Sequence, residues 1–149
     1  MSLPARVSLV TLGVANLDRS TRFYQALGWP LSPASVSGEV SFFDTEGAIL
    51  AVYGRDALAA DARVTAGAQG GFSGVALAVN LETPADVDAL IEKAIAAGAK
   101  VTSPASVTEW GGYTGYFTDP DGHLWEVAHN PAWPIGPDGR PQLPKTLLW

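Results

Sequence analysis

A chain of 149 residues has the length of one domain, and with 47% hydrophobic and 16% charged residues it can build a core without disulfide or metal staples. It has no cysteine and only two histidines, His123 and His129, which excludes disulfides, zinc fingers, iron–sulfur clusters and thiolate nucleophiles. Nine Lys and Arg against fifteen Asp and Glu give a net charge of −6 with no basic cluster, so nucleic acid is not an expected partner.

The apolar alternation of Val7 to Val14 predicts a half-buried strand. Asn16 is a candidate N-cap for a helix over Leu17 to Leu27, stopped by Gly28. Short strands are expected at Leu31 to Ser35, Val40 to Phe43 and Ile49 to Tyr53, the last two joined at Asp44-Thr45-Glu46-Gly47. The segment Arg55 to Gly71 reads as a short helix running into a Gly- and Ala-rich linker.

The same order then returns. Val75, Leu77 and Val79 alternate, and Thr83 caps a helix with Pro84 at its first position, the apolar face Val87, Leu90, Ile91, Ala94 and Ile95, and Gly98 as its end. Strands follow at Lys100 to Thr102, Gly115 to Thr118 and His123 to Ala128, the last two joined by the turn Asp119-Pro120-Asp121-Gly122. VTLGV at 10–14 echoes VALAV at 75–79, and Phe42 through Gly47 to Val52 echoes Phe117 through Gly122 to Val127. Prolines at 131, 134, 137, 141 and 144 keep the tail from being a helix or a central strand, and Trp133, Leu143 and Trp149 suggest that parts of it dock on something apolar. No apolar run approaches about 20 residues, the length of a membrane span, and no basic segment leads into one at the amino terminus. The expectation is a cytoplasmic protein with neither signal peptide nor membrane partner.

The doubled βαβββ order, LGVANLDRSTRFYQALGW at 12–29 and DPDGHLWEVAHNP at 119–131 resemble the vicinal oxygen chelate superfamily of glyoxalases, bleomycin-resistance proteins and extradiol dioxygenases, over roughly residues 6–130. The resemblance implies an α+β fold in one domain over 1–149: a first module at 6–53, a linker at 54–72, a second module at 73–130 and a tail at 131–149. The two modules would form a cup-shaped eight-strand sheet around a cavity. Metal-dependent relatives place ligands on the first and last strands of each module, and those positions here are Leu9, Ala51, Gly74 and Glu126. Only Glu126 is a ligand type, so no metal and no other cofactor is expected.

Strand parity puts residues 124, 126 and 128 on one face and both histidines on the other, so neither histidine joins Glu126. A carboxylate on a largely apolar face is either hydrogen-bonded to a neighbour or serves as a base or ligand anchor. Tyr116 lies across the DPDG hairpin and, by the resemblance, points into the cup, which makes Glu126 and Tyr116 the candidate acid–base pair. Trp110-Gly111-Gly112-Tyr113 reads as a loop at the cup's mouth, where Trp110 and Tyr113 can stack on a flat or cationic ligand. Tyr53 and Leu9 complete the expected ligand-binding set. Asp119 and Asp121 are turn residues, Arg19 and Arg22 solvated, and Trp125 a packing residue.

Three functions compete. The first is a metal-free protein of the bleomycin-resistance kind that binds a small aromatic or cationic molecule. The second is a metal-free isomerase or lyase using Glu126 and Tyr116, and the third a divalent-metal enzyme of the glyoxalase or dioxygenase type. A homodimer is expected, since many relatives pair.

Overall fold

In the computed structural model, which describes residues 3–145, the chain divides between Ala68 and Gln69 into two compact units, inside the expected linker. Among the described residues no helix is long and apolar enough to cross a membrane.

The first unit holds β1 (Leu9–Val14), α1 (Leu17–Ala26), β2 (Val40–Phe43), β3 (Ile49–Gly54) and α2 (Arg55–Ala62). Its sheet runs β1-β3-β2, with β1 parallel and β2 antiparallel to β3. Asn16 starts α1 as expected, its side chain accepting the Arg19 N–H at 3.0 Å. Ser20, Tyr24 and Leu27 recur at helical spacing and are buried with Leu12, Val14, Phe43, Leu50 and Val52. Tyr24 meets the Phe43 ring at 5.9 Å, and the Thr21 and Ser41 hydroxyls bond at 2.7 Å, which pins α1 to β2.

The second unit holds β4 (Ala76–Asn80), α3 (Pro84–Ala97), β5 (Lys100–Val107), β6 (Tyr113–Thr118) and β7 (Leu124–His129), in sheet order β4-β7-β6-β5. Thr83 caps α3 by accepting the Asp86 N–H at 3.1 Å, and Gly98 ends the helix in a left-handed conformation. Val87, Ile91 and Ala94 are buried with Phe117, Trp125 and Val127, each large side chain stabilising by about 1.5–3 kcal/mol. Phe117 and Trp125 stack at 6.5 Å, which places Trp125 in packing.

Three expectations change. Leu31 to Ser35 is not a strand. Leu31 makes one bridge to Phe43, and the chain then turns, with Ser35 N–H on the Ser32 carbonyl. Pro30 and Pro33 remove two N–H donors, which prevents a continuous ladder. The β5 strand extends to Val107, well past Thr102, because it is an edge strand that takes up Pro104 within a register shift between Ser103 and Ser106. The hydrogen bonding therefore forms separate sheets of three and four strands instead of one eight-strand sheet. In the tail, Trp133 is 37% and Leu143 62% exposed, and Ile135 bridges Pro141. Trp149 lies outside the described residues.

Register also corrects the alignment of the modules. Gly47 and Gly122 both turn with positive φ, which matches Ala51 to Glu126. Leu9 pairs with Ile49 and Ala76 pairs with Leu124, so the counterpart of Leu9 is Ala76, two residues beyond the expected Gly74. Gly74 precedes β4 at φ +87°. The same shift matches cap Asn16 to cap Thr83 and buried Ser20, Tyr24 and Leu27 to buried Val87, Ile91 and Ala94. On the other hairpin arm Phe43 faces Leu50 as Phe117 faces Trp125, so Phe43 and not Phe42 is the counterpart of Phe117.

Candidate functional site

Neighbouring residues of a strand point to opposite faces, and the β6–β7 register sorts the second unit accordingly. Phe117, Trp125 and Val127 lie under α3 with Gly115, where an added Cβ would come within 2.8 Å of Ile91 Cδ1. Thr114, Tyr116, Glu126 and Ala128 occupy the other face, with Tyr116 directly opposite Glu126 and Ala78 on its far side. Ala76 and Ala78 are exposed there, and Glu126 is half-buried.

The Tyr116 hydroxyl donates to Glu126 Oε2 at 2.8 Å, so the structure brings together the two expected acid–base residues. Thr114, which the sequence reading missed, directs its hydroxyl to the same oxygen at 3.2 Å and divides its one proton with the Val127 carbonyl, also at 3.2 Å. Its signal was available: it stands two residues before Tyr116 and shares its parity. Both bonds meet Oε2. Among the described residues Oε1 has no partner, and no cationic side chain pairs with the carboxylate. No buried side-chain polar atom is left unsatisfied among them, so Oε1 is open to solvent. The Tyr116 phenol is held above its ordinary value of 10.0, chiefly by donating to Glu126, then by burial and by the carboxylate's charge.

Tyr113 is not part of this group. It lies on the helix side of the sheet and donates to Asp88 Oδ1 at 2.7 Å, and that bond foremost raises its phenol above 10.0. His129, opposite Tyr113 in the register, sets Nδ1 3.1 Å from the Leu81 carbonyl oxygen, away from Glu126. Trp110 sits in the turn between β5 and β6, 55% exposed, its ring lying where a Gly112 side chain would be: an added Cβ would come within 1.9 Å of it. Leu9 and Tyr53 share the face of the first sheet opposite α1, on either side of Ala51 in strand parity. Asp119 is a buried turn residue whose Oδ1 accepts the Asp121 and His123 N–H groups at 2.9 Å.

The residues at the family's metal positions do not fit a metal ion. Leu9, Ala51 and either Gly74 or its register replacement Ala76 carry no donor atom, whereas a bound ion needs about three protein donors or more. Among the described residues no three His, Cys, Asp or Glu side chains gather as a ligand group.

The Glyoxalase/Bleomycin resistance protein/Dioxygenase superfamily model matches residues 6–127. A glyoxalase-related enzyme from Fulvimarina pelagi is 38% identical with a TM-score of 0.84, covering 94% of this chain and 99% of its own. A glyoxalase/bleomycin resistance protein/dioxygenase from Nocardioides is 29% identical with a TM-score of 0.71, covering 87% of this chain and 85% of its own. Lactoylglutathione lyase from Agrobacterium tumefaciens, 23% identical with a TM-score of 0.68 over 88% of this chain and 98% of its own, shares the fold. Among curated proteins none matches.

Proposed function

Because the chain belongs to the glyoxalase/bleomycin resistance protein/dioxygenase superfamily, we propose that it binds a small cationic or aromatic molecule, without a metal, on the open face of its second sheet. The observation that carries this reading is the state of Glu126: one carboxylate oxygen held by two hydroxyls, the other free and open to solvent. A carboxylate oriented in advance loses little side-chain entropy when a donor arrives, and half-burial strengthens the contact it makes.

Thermal melts of wild type and Glu126→Gln with benzylammonium, tryptamine and their neutral alcohol counterparts test it. A ligand at about 100 times its Kd stabilises by about 2.7 kcal/mol, a shift of several degrees for a chain of this size. The shift is expected with the amines and lost in Glu126→Gln; an undiminished shift in the variant overturns the anchor. Stoichiometric metal in protein purified without chelator, lost in Glu126→Ala, overturns the metal-free reading.

The 2.8 Å Tyr116–Glu126 bond favours a second reading, a metal-free isomerase or lyase. Oε1 would take a proton from a substrate carbon, and Tyr116, kept protonated by its raised pKa, would supply one. Its test is exchange of substrate protons with deuterated solvent, expected in wild type and absent in Glu126→Gln.

A further inference from the structure

The partners of Glu126 bear on which cation it can take. A carboxylate offers about four lone-pair directions, two on each oxygen, and a guanidinium or amidinium fork binds by using both oxygens at once. Here Oε2 accepts from the Tyr116 hydroxyl at 2.8 Å and is approached at 3.2 Å by the Thr114 hydroxyl, which shares its proton with the Val127 carbonyl, so both of its directions face a hydroxyl. A fork approaching this group would have to displace one of those hydroxyls and leave it without its carboxylate partner. A primary ammonium is a compact point charge that needs a single acceptor oxygen, and Oε1 supplies it. The neighbours on the β4 side are the exposed methyl groups of Ala76 and Ala78, against which a carbon skeleton can lie without losing polar contacts.

We infer that this face selects primary alkylammonium ligands over guanidinium or amidinium compounds of the same skeleton, with Thr114 and Tyr116 as the residues that set the preference by occupying Oε2. The inference rests on Glu126 being the ligand anchor proposed above.

The test uses matched pairs, benzylamine against benzylguanidine and n-butylamine against n-butylguanidine, titrated calorimetrically into the full-length wild type, Thr114→Ala, Thr114→Ser and Glu126→Gln, each first shown to melt cooperatively. In wild type the amine is expected to bind about tenfold tighter than its guanidine partner. Thr114→Ala opens one direction at Oε2, so the ratio should collapse or invert, while Thr114→Ser keeps the hydroxyl and should keep the preference. A Glu126-dependent guanidine that binds wild type as tightly as its amine overturns the selectivity and leaves the anchor standing. So does a ratio unchanged in Thr114→Ala. Binding by neither class, or binding that survives Glu126→Gln, overturns the anchor and the selectivity with it.

Discussion

In the first sheet Phe42 lies opposite Ala51 where, in the second, Tyr116 lies opposite Glu126. Val40 faces Tyr53 where Thr114 faces Ala128. Ring and backbone positions match, and the carboxylate with its two hydroxyl partners is present in the second module only. The helix sides differ far less: Ser20, Tyr24 and Leu27 do for α1 what Val87, Ile91 and Ala94 do for α3. Packing density restrains the helix side, where a misfit of one methylene is felt. On the opposite face Ala51 and Ala128 are buried as well, but Glu126 is only half-buried and Ala76 and Ala78 are exposed, so that face holds an apolar pair in one module and a clamped carboxylate in the other.

The comparison can be broken most forcefully at the cores. Phe43→Ala and Phe117→Ala should each cost about 3–5 kcal/mol in urea unfolding, and a silent change at either would end their equivalence. Next comes the position where Ser41 and Gly115 correspond. Gly115→Ser writes the first module's residue into the second, where its Cβ would lie 2.8 Å from Ile91 Cδ1 and 2.9 Å from the Ala105 nitrogen. The expected loss is about 1–3 kcal/mol. Ser41→Ala, which removes the bond to Thr21, should cost about 1 kcal/mol by the same measurement.

Converting the second face to the pattern of the first is smaller still in stability. The double variant Tyr116→Phe/Glu126→Ala removes donor and acceptor together, so unfolding should stay within about 1 kcal/mol of wild type while amine binding disappears. Retained binding would show that the difference between the two faces is not what binds.

The smallest effect is in the phenols. Tyr116 and Tyr113 have raised folded pKa values, so their contribution to stability is complete below the unfolded value of 10.0 and is lost as pH rises through the folded one. Ultraviolet titration should show both ionising late, Glu126→Gln returning Tyr116 and Asp88→Asn returning Tyr113 toward the ordinary value.

Much of this was legible in the residues. Asn16, Thr83, Pro84 and Gly98 announce their helices because capping is a matter of a few neighbouring atoms. The Glu126–Tyr116 pair was legible because the short DPDG turn sets their strands side by side and the family resemblance turns Tyr116 toward the face of Glu126. Thr114 went unnoticed although parity pointed to it, since a threonine in a strand carries no chemical signature. Tyr113 shares its aromatic loop with Trp110, which suggests ligand stacking, but one step of parity from Thr114 sends it to the helix side and onto Asp88.

The local order of strands and helices, the caps and the turns follow from the sequence alone, because each depends on residues close together in the chain. Register does not. The parallel pairing of β1 with β3 and of β4 with β7 joins strands far apart in sequence, and only the folded chain shows that Ala76, not Gly74, answers Leu9. The hairpin arms differ by one residue, which moves the match from Phe42 to Phe43 and sets Phe42 against Ala51. The occupied lone pairs of Glu126 Oε2 are likewise a product of three side chains meeting across two strands. Hydrogen-bond geometry at that oxygen, beyond the reach of any local pattern, decides what the remaining oxygen is free to bind.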